Sequence, residues 1–148
     1  MINYSMELCR SLTLYTSESC NLQCSYCEIN EYLDKKQHRT EAKKVKESLI
    51  NGDYFNTLQI AFEKLNINPN NINFIDLWGQ EPTLTLKEFE ILFSKLYKEL
   101  CPNISRIYFS TNGVAYIDNI FHFIQFLDKD VLNKSCTLRI QFSFDGYE

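Results

Sequence analysis

Short strand-like runs alternate with longer helical patterns along this chain of 148 residues. The strand-like runs cover residues 12–15, 72–78, 106–110 and 137–144. Helical patterns lie between them, and strands that alternate with helices of about ten or more residues predict βαβ units. The sequence therefore predicts an α/β fold with a parallel sheet or barrel, in which ligands bind at the carboxyl ends of the strands.

The helical segments carry their own boundary signals. Thr40 is a plausible N-cap for the first helix, and Asn51-Gly52 separates it from a second helix over residues 54–65. The run Thr85-Leu-Lys-Glu88 has the form of a capping box and opens a helix that extends to residue 100. A further helix is predicted over residues 117–127, from apolar side chains at helical spacing.

The final strand alternates strictly between apolar and polar residues. Leu138, Ile140 and Phe142 alternate with Arg139 and Gln141, whereas a parallel strand packed on both faces is apolar throughout. One interpretation is that the polar row lines the inside of an incompletely filled barrel, where a polar cofactor and substrate bind. The other is an edge strand with one solvated face.

Composition limits the class of protein. The length predicts one domain over residues 1–148, large enough to fold without disulfides. We find no secretory signal and no apolar run of membrane-spanning length, so we expect a cytoplasmic protein without a membrane partner. The net charge is −4 and the cations are dispersed, which argues against nucleic-acid binding.

Three cysteines lie close together after the first strand. Cys20, Cys24 and Cys27 have the spacing C-x3-C-x2-C, and clustered thiols in a reducing compartment indicate metal ligation. Three thiolates hold three corners of a [4Fe–4S] cluster and leave one iron open. The alternatives are small buried side chains, or a zinc site that Cys9, His38 or His122 would have to complete.

Polar motifs follow the other predicted strands. Gly79-Gln80-Glu81-Pro82 ends the second strand, Ser110-Thr111-Asn112 ends the third, and Ser143 and Asp145 end the fourth. Asn112-Gly113 and Asp145-Gly146 are also explained by simple turn chemistry.

These motifs, in this order, resemble those of the radical S-adenosylmethionine (SAM) enzymes, from the first strand to Gly146. The resemblance implies a [4Fe–4S] cluster on Cys20, Cys24 and Cys27, and SAM cleaved reductively to a 5′-deoxyadenosyl radical. It implies that Tyr26 lies near the adenine and that Gly79, Gln80, Glu81 and Pro82 receive the SAM amino group. It further implies that Ser110, Asn112, Ser143 and Asp145 face SAM. The family has a second glycine where Gln80 stands.

The resemblance also implies a fold and partners. The family core is a TIM-like barrel of six βα units, and the four units here predict a partial barrel, truncated at the C-terminus and completed by a complementing C-terminal fragment. A flavodoxin or ferredoxin would serve as reductant, and Trp78 to Thr83 is similar to members that modify peptides or proteins, such as those that mature anaerobic sulfatases. The alternatives are a non-catalytic iron–sulfur or zinc module and an inactive fragment that needs a partner chain. Cys9, Cys101 and Cys136 match no ligand of the family and are interpreted as structural.

Overall fold

Four parallel strands form one sheet in chain order, β1-β2-β3-β4. The computed structural model describes residues 9–22, 24, 27, 35–114, 116–131 and 136–143. The strands are β1 Ser11–Tyr15, β2 Phe74–Trp78, β3 Arg106–Thr111 and β4 Thr137–Phe142. The predicted α/β fold with a parallel sheet is confirmed, and all four strands end at the same edge.

Helices connect the strands, as parallel pairing requires. They are α1 Lys35–Asn51, α2 Asp53–Lys64, α3 Leu86–Lys95 and α4 Ile117–Phe126. Single π-helical turns follow at Leu96–Leu100 and Leu127–Val131, and 3-10 turns lie at Pro69–Asn71 and Pro82–Leu84. Gly52, with φ of 89°, joins α1 to α2, so the predicted interruption is confirmed.

The hydrophobic core lies on one face of the sheet. Alternate strand residues such as Leu14, Ile75 and Phe109 are buried there among side chains of the helices. The Phe123 ring of α4 lies 6.4 Å from the Phe109 ring and 5.5 Å from the Phe93 ring of α3, which fixes two helices against β3. Leu138 and Ile140 pack against the same core, as the alternation in β4 predicted.

The intervening strand residues form a second face that we call the open face. It carries half-buried and exposed side chains: Thr13, Phe74, Asp76, Arg106, Tyr108, Thr137, Arg139 and Gln141. The polar row of β4 belongs to it, and β4 pairs with β3 alone among the described residues. The prediction of one solvated face on β4 is therefore confirmed.

One predicted helix start is wrong, and the start of α3 is confirmed with Thr85 at the N-cap but without the predicted capping bond. Helix α1 begins at Lys35, so Thr40 lies inside it and its hydroxyl donates to the Lys36 carbonyl at 2.9 Å. The Thr85 side chain makes no capping bond to α3, because its hydroxyl donates to the Pro82 carbonyl at 3.3 Å instead. Within the described ranges, none of the helices combines the length and the apolar character that a membrane span requires.

Candidate functional site

The segment after β1 and the turn after β2 are joined by backbone hydrogen bonds. The Thr16 amide donates to the Trp78 carbonyl at 2.8 Å, the Gln80 amide to Ser17 at 3.0 Å, and the Glu81 amide to Ser19 at 3.1 Å. Pairing thus continues beyond the strands toward Cys20. The cysteine loop, which we define as the segment from Cys20 to Cys27, therefore begins at a fixed position beside the Gly-x-Glu-Pro turn.

Gly79 is required by space rather than by its backbone angle. A Cβ atom at this position would lie 2.0 Å from Thr16 Oγ1 and 2.6 Å from the Ser17 carbonyl oxygen. Gln80 is not among the described residues with positive φ, which are Asn66 and Tyr116 apart from glycines. A side chain at position 80 is therefore tolerated, and the departure from the Gly-Gly-Glu-Pro pattern carries no backbone strain.

Glu81 is the most connected polar residue of the site and is only 1% exposed. Its Oε1 accepts from the Thr83 hydroxyl at 2.5 Å, the Thr111 hydroxyl at 2.6 Å and the Thr83 amide at 3.3 Å. Its Oε2 accepts from the Asn112 amide at 2.9 Å. A carboxylate has about four accepting positions, so Glu81 ties the ends of β2 and β3 together and keeps little capacity for a ligand.

Asn112 connects the end of β3 to the cysteine loop. Its Nδ2 donates to Asn21 Oδ1 at 2.9 Å and lies 3.7 Å from Cys20 Sγ. Its Oδ1 accepts from the Val114 amide at 3.0 Å, and Gly113 follows with φ of 68°. The turn interpretation of Asn112-Gly113 is thus correct, and the same residue also contacts the first cysteine.

The three loop cysteines are half-buried. Cys20 Sγ accepts from the Leu22 amide at 3.4 Å as well as from Asn112, and the Cys27 thiol donates to Gln80 Oε1 at 3.5 Å. Burial raises the pKa of the Cys20 thiol, and the Leu22 amide partly opposes this. Within the described residues, no three Cys, His, Asp or Glu side chains form a group arranged to hold a metal ion.

The chemistry of the donor set nevertheless fits a thiophilic metal. Cys24 and Cys27 share a backbone hydrogen bond of 3.1 Å between the Cys27 amide and the Cys24 carbonyl. N–H donors directed at Cys20 sulfur favour its thiolate form. Among the residues that the resemblance assigns to the metal, Cys20 therefore has N–H donors that suit a thiolate, whereas the Cys27 thiol faces the Gln80 side-chain oxygen.

The other residues that were predicted to contact SAM have positions that the structure describes in less detail. Pro82 is buried at the start of its 3-10 turn, and Ser110 is half-buried on the open face. The Ser143 amide donates to the Thr111 carbonyl at 2.9 Å, while its side chain is exposed. Tyr26 and Asp145 lie outside the described residues.

Several buried polar residues of the site were not predicted: Thr16, Ser17, Ser19 and Thr83. The Ser19 hydroxyl accepts from the Ala42 amide at 3.1 Å and so connects the loop to α1. A signal was present, because polar residues fill the interval between β1 and Cys20. Hydroxyl groups that satisfy backbone amides are common in loops, however, and their spacing is not distinctive.

The other cysteines and histidines lie outside this constellation. Cys101 is buried, and burial raises its pKa to about 12. Cys136 Sγ accepts from the Tyr97 hydroxyl at 3.5 Å, and the Cys9 thiol donates to the Ser11 carbonyl at 3.4 Å. His38 falls within α1. His122, on α4, lies 2.7 Å from Glu90.

Comparison of the chain with protein-family models gave no match. Searches among curated proteins and among solved structures gave no significant match either.

Proposed function

We propose that this chain carries part of a radical SAM core, with Cys20, Cys24 and Cys27 as ligands of a [4Fe–4S] cluster. The observation that supports the proposal best is the convergence of three motifs at one sheet edge. Asn112 contacts Cys20, Gln80 contacts Cys27, and Glu81 joins the two turns from which these contacts come. Two motifs distant in sequence thus contact the cysteine loop.

The chemistry that such a cluster supplies when bound is one-electron reduction of SAM, which yields the 5′-deoxyadenosyl radical. The residues of the chain itself hold the ligand atoms in position and balance the charge of the thiolates. The Asn112 and Leu22 N–H groups offset the negative charge of the Cys20 thiolate. The remaining accepting position of Glu81 Oε2, and the backbone of Gly79 to Pro82, offer acceptors for an ammonium group.

The proposal includes a fold and partners finer than the observed sheet. We propose that the four strands form part of a TIM-like barrel whose interior is the open face. Tyr26, Ser110, Ser143 and Asp145 would then face SAM. A cytoplasmic flavodoxin or ferredoxin would supply the electron, and a peptide or protein would be the substrate.

Anaerobic reconstitution tests the proposal. The chain is incubated with iron and sulfide, and bound iron, bound sulfide and 5′-deoxyadenosine are measured after SAM and a strong reductant are added. We expect about four irons and four sulfides per chain. Cluster binding without SAM cleavage would support an incomplete barrel, and failure to bind iron would refute the proposal.

A matched pair of variants tests the ligand assignment. Cys24→Ala removes one of three ligands and is expected to abolish the cluster absorbance, whereas Cys101→Ala removes a buried thiol on the far side of the core and retains it. Equal loss in the two variants, each checked for native unfolding behaviour, would contradict the assignment.

A non-catalytic zinc or iron–sulfur module is the second candidate. It is favoured by Glu81, because four protein donors already bond to its carboxylate and leave little capacity for a ligand, on Oε2 alone. Metal analysis separates the two candidates. Zinc without sulfide would support the module and exclude the radical mechanism.

A further inference from the structure

A cleft of about 470 Å³ lies on the open face of the sheet, at the starts of the strands rather than at their ends. Its lining comes from three strands: Phe74, Asp76, Arg106, Tyr108, Thr137 and Arg139. Parallel sheets are normally covered by helices on both faces. Among the described residues, however, the lining of this cleft comes from strands alone.

Aromatic rings hold the two arginines of the cleft. The Arg106 guanidinium lies 5.4 Å from the Phe74 ring centre, and its Nη2 donates to Asn73 Oδ1 at 3.4 Å. The Arg139 guanidinium lies 5.8 Å from the Tyr108 ring centre. A guanidinium stacked on a ring keeps its in-plane N–H groups available for an acceptor.

Tyr108 is itself held in place, since its hydroxyl donates to Gln141 Oε1 at 2.9 Å. The platform beneath Arg139 is thus connected to both β3 and β4. Ordering of these long side chains before a ligand arrives lowers the entropic cost of binding.

The charge of the cleft is unbalanced. Among the described residues, the ion pairs involve Lys43, Lys44, Lys46 and His122, and neither Arg106 nor Arg139 is paired with a carboxylate. Asp76 is the one acidic residue in the lining, against two guanidinium groups. Burial raises the pKa of Asp76. A positive excess in a chain with a net charge of −4 is complementary to an anion.

Strand register brings the two arginines near each other. Arg106 is opposite Thr137, and Tyr108 is opposite Arg139, so the arginines are diagonal neighbours on adjacent strands. Strand geometry separates such positions by roughly 8 Å between Cα atoms. Two long side chains at this spacing can converge on one small anion, with bidentate geometry at each guanidinium.

We propose that this cleft binds the oxoanion group, carboxylate or phosphate, of a small molecule through Arg106 and Arg139. The site is independent of the cysteine loop. From Arg106 to Thr111, β3 rises about 16 Å, so the cleft and the loop lie at opposite ends of the strands. A further idea is that the oxoanion is one end of a substrate whose other end reaches the cysteine loop. This idea alone rests on the proposed radical SAM function.

Titration calorimetry of the metal-free chain tests the site with two ligands, inorganic phosphate and succinate, at constant ionic strength. We expect saturable binding of at least one, and the tighter of the two identifies the preferred oxoanion. Arg139→Gln should weaken binding about tenfold, because a charge-assisted hydrogen-bonding group is lost. The matched control Arg39→Gln, on α1 and outside the cleft, should bind as the wild type does.

A variant that is expected to bind the oxoanion more tightly provides a second test, because a variant that fails to fold cannot gain affinity. Asp76→Asn removes the opposing carboxylate and should tighten binding about threefold. Absence of saturable binding for both ligands, or unchanged affinity in Arg139→Gln, would overturn the proposal. Cys24→Ala should leave binding intact, so a failed cluster reconstitution and a failed oxoanion site give different results.

Discussion

At the scale of single residues, the Glu81 carboxylate decides how the strand ends meet. It is buried, and both of its oxygens accept hydrogen bonds, from the end of β3 and from its own turn. A buried carboxylate is costly unless it is hydrogen-bonded in this way. Glu81 therefore stabilises the geometry around the cysteine loop whether or not a ligand is present.

Glu81→Gln should destabilise the chain by about 2–4 kcal/mol, measured as the free energy of unfolding in urea. The amide keeps the oxygen that faces Thr83 and Thr111 but directs an NH2 group at the Asn112 amide, so two donors oppose each other. Glu88→Gln is the comparison, because Glu88 Oε2 has no hydrogen-bond partner among the described atoms and Oε1 makes only the ion pair with Lys46 at 3.4 Å. An equal loss in both variants would contradict this role for Glu81.

Glu81 and the cysteines were predictable as site residues because their types and spacing are distinctive. Thr16, whose hydroxyl donates to the Trp78 carbonyl at 3.0 Å, and Thr83 were not predictable, because threonine occurs in every kind of segment. The need for glycine at position 79 was also invisible. It arises from the approach of a backbone segment more than sixty residues earlier in the chain.

At the scale of elements, the start of α1 shows how a local signal is overridden. Thr40 has the residue type of an N-cap, but the helix continues through it from Lys35. Its hydroxyl bonds back to the Lys36 carbonyl, a contact that threonine makes within helices. Propensity at one residue is a weak predictor when the preceding turn also becomes helical.

Thr40→Ala should therefore change the free energy of unfolding by less than about 0.5 kcal/mol. Loss of a true N-cap costs about 1 kcal/mol. Asn68→Ala provides that comparison, since Asn68 Oδ1 accepts from the Asn70 amide at 3.0 Å and caps the 3-10 turn. Thermal or urea unfolding of both variants measures the difference, and a larger effect at Thr40 would restore its role as a cap.

At the scale of the whole molecule, the sheet has unequal strands. β2 is paired on both sides, by β1 and β3, whereas within the described residues β4 is paired on one side. The parallel direction of the strands was predictable from the alternation of strands and helices, because a helical crossover joins parallel strands. Closure into a barrel was not predictable in the same way, because it depends on strand tilt and stagger.

Hydrogen exchange followed by mass spectrometry should show this inequality. We expect the amides of β4 to exchange much faster than those of β2, because half of the β4 amides point away from β3 and lack a strand partner among the described residues. Equal protection in β4 and β2 would mean that a further strand pairs with this edge. Dilution of the sample would lower the protection of β4 alone if that strand belongs to another chain, and would leave it unchanged if it comes from residues of this chain outside the described ranges.

The contact between Cys20 and Asn112 also has a consequence for the order of synthesis and folding. The two residues are separated by 92 positions, and the intervening chain includes α1, α2, β2 and β3. During synthesis the thiols therefore leave the ribosome well before the residues that surround them exist. Parallel pairing of distant segments is slow. We expect any group that these thiols bind to be inserted after the sheet has formed. The cysteines must stay reduced until then.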